Sequence, residues 1–242
     1  MSLFVILWWM QMDAYQGIRG AGGLKEQAPS RWLYVGFWAC IVISVAVVLR
    51  RLSALAFPSR SAPPQLATLD AVFASHAALT LAHILPALAF VLIAPLVVFR
   101  RPPNASWPEH LIFPLGFVVV LTAYAMSVYP VGGWVERSAV LFFNSLFLFS
   151  LFRAYWCGRH GELLLKRRWM LRAIAILLGI ATTRPVMGIF FATSPLTHLS
   201  PSQFFGIAFW IGFSINAVAI ELWLHYRDRL SQPAVWTPDL KH

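Results

Sequence analysis

Charged and polar side chains inside apolar stretches are the residues of this chain best placed to do chemistry, because a charge in hydrocarbon is costly enough to need a reason. Depths of about 1.5 Å per residue, counted from one end of each stretch, sort them into two groups. Arg172 lies about 6 Å in, and Arg153 and Glu221 about 7.5 Å in, with His110 at the boundary. His225 follows Glu221 by four residues and shares its helix face. These five form an inner polar cluster. Its two arginines either serve a site or snorkel to the headgroups while Glu221 neutralises one of them. An ion pair of Glu221 with Arg153 or Arg172 is expected, since an unpaired buried carboxylate would protonate instead.

The second group lies deeper. His83 and Arg184 fall at about 24 Å, Tyr124 and Asn144 at about 21 Å, and Thr122 and Ser214 at about 18 Å. Side chains from several stretches at one depth point to a common cavity, with His83, Tyr124, Asn144 and Arg184 as its ligand-pocket candidates. No carboxylate sits at the level of Arg184; Asp70 and Glu136 lie nearer the outer surface and reach it only if the helices tilt. Pro185 follows, and its missing N–H frees the carbonyl of Ala181 to help solvate the guanidinium, together with the hydroxyls of Thr182 and Thr183. A cation without a matching carboxylate suits an anionic or carbonyl-bearing ligand: a lipid headgroup, a quinone or a carboxylate. The competing account is that Arg184 snorkels outward.

Haem b needs two imidazoles at equal depth on facing helices. His83 and His110 are about 24 Å apart along the membrane normal and cannot share one iron. His76 has His198 as an outer-side partner, and His110, His160 and His225 could meet at the inner side. No HxxxH or HxxE spacing within a helix supports a metal site, so no metal ligand is assigned. Cys40 and Cys157 fall within or at the end of apolar stretches, with no CxxC spacing, and read as small core residues.

The elements that must position these residues are transmembrane helices. Of 242 residues, 59% are hydrophobic and 12% charged, against about 25% charged in a soluble domain. A soluble fold of this size could not hide so much apolar surface. Six stretches reach the roughly 20 residues a span requires: Trp32–Leu49, Asp70–Phe99, His110–Tyr129, Arg137–Gly158, Arg168–Ala192 and Ser202–Tyr226. The second is long enough for its first turns, DAVFASH, to lie at the interface. Trp32, Trp107, Trp134, Trp156, Trp169 and Trp223 fall near span ends, where indole rings favour the headgroup zone. The expected fold is therefore all-α, an integral membrane bundle of six helices, residues 32–226. It is flanked by an interfacial or cytoplasmic segment, 1–31, and a cytoplasmic tail, 227–242.

The net charge of +10 is a topology signal rather than a sign of nucleic-acid binding. Arg19, Lys25, Arg31, Arg100, Arg101, Arg159, Lys166, Arg167, Arg168, Arg227, Arg229 and Lys241 fall on the N-terminal side, against Arg50, Arg51, Arg60 and Arg137 opposite. By the positive-inside rule both termini are cytoplasmic, in a multi-pass protein of the cell inner membrane. The sequon Asn104-Ala105-Ser106 then faces the cytoplasm and is not expected to be glycosylated. The opening residues MSLFVILWWMQM are apolar but too short to cross and lack signal-peptide features. They read as an interfacial segment, or as an over-extended start with Met10 or Met12 as initiator.

From Lys166 to Arg184 the chain reads KRRWMLRAIAILLGIATTR. This resembles a stretch of a mainly bacterial membrane-protein family known as domain of unknown function 2306, whose own version reads roughly HRRWMIRS before an apolar run ending in Leu-Arg. Other pieces follow in order. His83-Ile84 with Ala94-Pro95 resembles the family's HI segment leading to Gly-Pro. FRRPPNASWPEH, ending at His110, is similar to its basic loop before a second His. Gly132-Gly133 resembles its GG turn, and WIGFSINAVAIELW resembles its last helix. The resemblance spans about 70–226. The family's likeness to helical haem-b proteins implies haem as a cofactor to test. Here Lys166 replaces one candidate His, Ala94 replaces a Gly, and Leu111 stands where an Arg is usual.

No P-loop, GxGxxG or nucleophile elbow occurs, so nothing marks a soluble enzyme, and no catalytic residue is assigned. Three readings remain: an accessory or small-ligand-binding membrane protein, a haem-b or quinone-linked redox protein, and a small-molecule transporter. The absence of internal repeats weakens the last. The bilayer is one partner and a small anionic or quinone-like molecule another; the sequence names no protein partner.

Overall fold

Each long helix of this protein can exist because hydrocarbon leaves the backbone no other partner than itself, and an unbroken helix satisfies every interior N–H and C=O. The computed structural model describes residues 31–57, 64–99, 107–198 and 200–231. The expectations for the N-terminal segment with its alternative initiators, the sequon at Asn104, the outer-loop Arg60 and the C-terminal tail beyond Ser231 lie outside these.

The described residues form seven helices and no strand. They are α1 (Arg31–Ala56), α2 (Pro64–Ser75), α3 (Ala77–Phe99), α4 (Trp107–Met126), α5 (Gly133–Arg159), α6 (Leu163–Thr197) and α7 (Pro201–Ser231). Five of them contain stretches long and apolar enough to cross a membrane: Leu33–Ala56, Ala77–Phe99, Gly133–Arg159, Leu163–Leu196 and Ser202–Arg229. The expected third span is shorter than the others. Its apolar part, His110–Met126, covers about 26 Å against a hydrocarbon core of about 30 Å. The expected second span is also revised. It is two helices meeting at a turn at His76, so DAVFASH belongs to α2 and its turn rather than to the spanning helix. The last helix continues past Tyr226 to Ser231.

The two ends of the bundle are marked by different contacts. At one, Trp38 of α1 stacks on Phe99 of α3, and Arg168 of α6 pairs with Asp228 of α7. At the other, Arg50 and Arg51 at the end of α1 hold Asp70 of α2 at 3.0 and 2.5 Å. There His76 also stacks on Tyr129, with ring centroids 4.1 Å apart. Turns between helices follow backbone rules. After α5, Gly161 takes φ +76°, and Glu162 N–H donates to Cys157 O at 2.9 Å, which is the Schellman stop that glycine makes inexpensive. Before α5, Glu136 accepts the Gly132 N–H at 2.6 Å and closes the turn from α4.

α6 packs most extensively on α7 and then on α5, whereas α1 docks on α6 and α3. The α6–α7 seam is close because Gly212 has no Cβ. A Cβ there would come within 2.6 Å of the Thr183 backbone nitrogen. Gly206 does the same for the start of α5, where a Cβ would meet the Glu136 nitrogen at 2.6 Å. Polar side chains tie the same helices together. Thr182 donates to Asn216 Oδ1 at 2.7 Å, and Asn216 Nδ2 donates to Ala175 O at 3.1 Å. The core between them is aromatic, with Phe143, Phe213 and Phe209 in ring-to-ring contact.

Candidate functional site

All seven described helices contribute to the wall of a cavity of about 230 Å³ near the end of the bundle that carries Asp70 and Tyr129. Its polar wall is built from Thr80 and His83 of α3, Glu136, Arg137 and Asn144 of α5, Arg184 of α6 and Arg51 of α1. Its apolar wall is mostly aliphatic, with Phe143 and Phe147 of α5 and Phe205, Phe209 and Phe213 of α7 among it. Of the four candidates read from the sequence, His83, Asn144 and Arg184 line this cavity and Tyr124 does not. Tyr124 shares their depth but turns toward α5, where its hydroxyl lies 2.7 Å from Ser145 Oγ.

Each lining group has a definable chemical state. Thr122 donates its one hydroxyl proton to the Val118 carbonyl at 2.7 Å, so it must accept from His83 Nδ1, 2.9 Å away. In the neutral ring that leaves Nε2 as an acceptor. Asn144 donates to Val120 O at 3.0 Å and so joins α5 to α4. The Glu136 carboxylate is engaged by the Gly132 N–H, and Arg51 by Asp70, with its guanidinium 4.0 Å from the Phe73 ring centroid. Arg184 differs from all of these. Its Nε is buried without a hydrogen-bond partner, and its Nη1 lies only 3.9 Å from the Met187 sulfur, a weak acceptor. No carboxylate among the described residues forms an ion pair with it. Asp70 and Glu136, the two carboxylates closest to its level by sequence, are committed elsewhere.

Sequence reasoning missed Arg51 and Arg137, which it counted only as outer-loop charges, and the phenylalanines of the wall. Arg137 has a buried Nε without a hydrogen-bond partner, and its guanidinium sits 5.6 Å from the Trp134 ring centroid. The only available signal was that each Arg adjoins a span end, a position equally consistent with snorkelling.

The inner cluster resolves differently. Glu221 takes Arg172 in a bidentate pair, with Nε at 2.6 Å and Nη2 at 3.0 Å. Arg153 turns to Trp169, 5.7 Å from its ring centroid, and Arg172 lies over the same ring at 4.6 Å. His110 and His225 are exposed. His160 stacks on Trp156 at 4.7 Å. Among the described residues no three His, Cys, Asp or Glu side chains come together as a metal-binding group. His76, considered above as a partner for His198 on haem, has its ring against Tyr129 and its Nδ1 3.0 Å from Ser75 Oγ.

Residues 80–224 match the family described as predicted membrane protein, domain of unknown function 2306. No curated protein and no solved structure matches the chain. The matched region runs from α3 to α7 and includes every residue of the cavity wall except those supplied by α1 and α2. The chain belongs to this family of membrane proteins.

Proposed function

We propose that this member of the family is an accessory or binding protein of the cytoplasmic membrane that holds a small ligand in the cavity beside Arg184. One observation carries the reading: a buried guanidinium nitrogen without a hydrogen-bond partner in the wall of a cavity of about 230 Å³. A buried guanidinium nitrogen left without an acceptor in such a place is set up to bond to something else. His83 and Asn144 serve as positioning groups, each locked by a bond to α4. Tyr124, tied to Ser145 away from the wall, supports helix packing rather than the ligand.

In this reading α4 completes a set of six spans. It packs along α3 and α5 and exchanges side-chain bonds with both, so it occupies the same depth. The excess of Lys and Arg on the N-terminal side then puts the segments at about 1–31 and 227–242 in the cytoplasm and the cavity in the outer half. The inner cluster of His110, Arg153, Arg172, Glu221 and His225 anchors the cytoplasmic ends of the helices.

The test uses a cavity-filling variant. Ala87 lines the cavity, so Ala87→Trp should occupy it. Native mass spectrometry of the protein extracted directly into lipid nanodiscs should show a small-molecule adduct on the wild type that Ala87→Trp lacks. Wild type and variant with identical adducts would overturn the reading. Phosphatase fused after His242 should be inactive, and an active fusion would reverse the orientation.

A further inference from the structure

The geometry points to the class of ligand: we propose that the cavity takes a monoanionic amphiphile, a carboxylate on an apolar body of about ten non-hydrogen atoms. This rests on the binding reading above and adds to it the charge, shape and size of the occupant.

Charge comes first. The wall contains three arginines, Arg51, Arg137 and Arg184, and one carboxylate, Glu136. Arg51 shares the one carboxylate of Asp70 with Arg50, so that cluster keeps a net positive charge. Glu136 accepts the Gly132 N–H, which fixes its carboxylate at the turn before α5 and makes no ion pair with Arg184. Arg137 is placed against the Trp134 ring. Arg184 alone has neither an anion nor a ring, only a thioether sulfur at 3.9 Å and a buried Nε. An uncompensated cation in a low-dielectric interior is unfavourable, and an incoming anion removes that cost. A neutral carbonyl, such as that of a quinone, would accept a hydrogen bond without balancing the charge.

Shape follows from the guanidinium fork, which presents parallel N–H donors matched to the two oxygens of one carboxylate. Size follows from the volume. A dry apolar cavity of about 150 Å³ accepts benzene. The present cavity, about 230 Å³, therefore admits a body somewhat larger than one aromatic ring. The rest of the wall, mostly aliphatic with Phe143, Phe147, Phe205, Phe209 and Phe213 among it, suits an aliphatic or aromatic body.

The experiment is isothermal titration of the full chain in nanodiscs with octanoate and with its neutral counterpart octan-1-ol, using empty discs and Ala87→Trp as baselines. Octanoate is expected to bind the wild type about tenfold or more tighter than octan-1-ol, the preference a buried bidentate ion pair supplies. Arg184→Gln should erase the preference and leave octan-1-ol within about twofold of its wild-type affinity. Arg184→Lys, which keeps the charge but not the fork, should retain part of it. Equal affinity for the two probes on the wild type overturns the anion assignment while the cavity remains a binding site. A preference that survives Arg184→Gln overturns it as well. If neither probe binds the wild type more tightly than Ala87→Trp, the binding reading itself falls. The wild-type comparison needs no variant to fold, so a poorly folded Arg184→Gln does not rescue the proposal.

Discussion

Arg172 and Arg184 sit on the same helix, about 18 Å apart along its axis, and the protein treats them in opposite ways. Arg172 is clamped by Glu221 from α7 and flattened against Trp169. Arg184 faces a cavity with nothing but a methionine sulfur within reach of its Nη1 and no partner for its Nε. The first arrangement is a completed structure: two charges cancel, two helices are joined, and nothing is left over. The second is an incomplete one. A cation in hydrocarbon is tolerated for packing reasons when its charge is cancelled inside the protein, and otherwise implies a partner from outside. The contrast separates an arginine whose charge is paired from one whose charge is not.

Both regions depend on the seam between α6 and α7, and the largest expected effect is there. Gly212→Leu forces a side chain into the Thr183 backbone, which is 2.6 Å from the nearest position a Cβ could take. Rigid backbone cannot yield as a side-chain tip would, so the cost should reach about 3 kcal/mol or more. The expected outcome is a large loss of monodisperse protein in detergent by size exclusion, with residual material melting well below the wild type. A variant that melts like the wild type would mean that α6 and α7 do not touch beside Arg184, and the cavity wall would have to be redrawn.

The next effect belongs to the anchor. Glu221→Gln strands the Arg172 charge, and Arg172→Gln strands Glu221, whereas the double variant strands neither. Both side chains retain some exposure, 15% for Arg172 and 36% for Glu221, so each single change should cost about 1–2 kcal/mol, below the range for a fully buried pair. The double variant should be less destabilised than the sum of the two. Thermal melts in one detergent measure all four proteins. Strictly additive costs would show that the pair is not coupled and would remove one side of the comparison.

How much of this was legible beforehand follows from what a sequence encodes. Span positions come from apolar run length, and depth comes from counting residues. Depth alone set His83, Asn144 and Arg184 at one level and paired Glu221 with a nearby arginine. It also put Tyr124 in the same layer, wrongly for the cavity wall, because counting gives height along a helix and not the direction a side chain faces. Choosing Arg172 over Arg153 was equally out of reach, since both lie at similar depth and only the helix packing aims one at Glu221. Length alone set DAVFASH apart from the span, but the turn at His76 was hidden because Thr80 and the residues around it read as continuous apolar sequence. The structure shows Thr80 donating its hydroxyl back to the Phe73 carbonyl at 3.1 Å across the turn. Arg51 and Arg137 were hidden for a different reason: a cation at a span end has the same sequence signature whether it reaches water or a cavity.

The smallest expected effect is also the most discriminating. Arg184→Gln should leave the stability of ligand-free protein within about 1 kcal/mol of the wild type, or raise it. Its charge is uncompensated, so the substitution removes a desolvation cost and breaks no ion pair. Its one polar contact, to the Met187 sulfur at 3.9 Å, is too long and too weak to be missed. Glutamine keeps most of the length and one amide, so the packing change around Pro185 and Met187 is modest. Opposite signs at Arg172 and Arg184, for the same Arg→Gln change on one helix, would be the thermal signature of an anchor and of a residue held at a cost to stability for the sake of binding. The melts must be run after extensive lipid exchange, because a co-purified ligand would stabilise the wild type by mass action and mimic a structural role. If Arg184→Gln in exchanged protein falls as far as Arg172→Gln, the guanidinium has a structural partner in the folded protein, and Arg184 becomes a second anchor rather than a site.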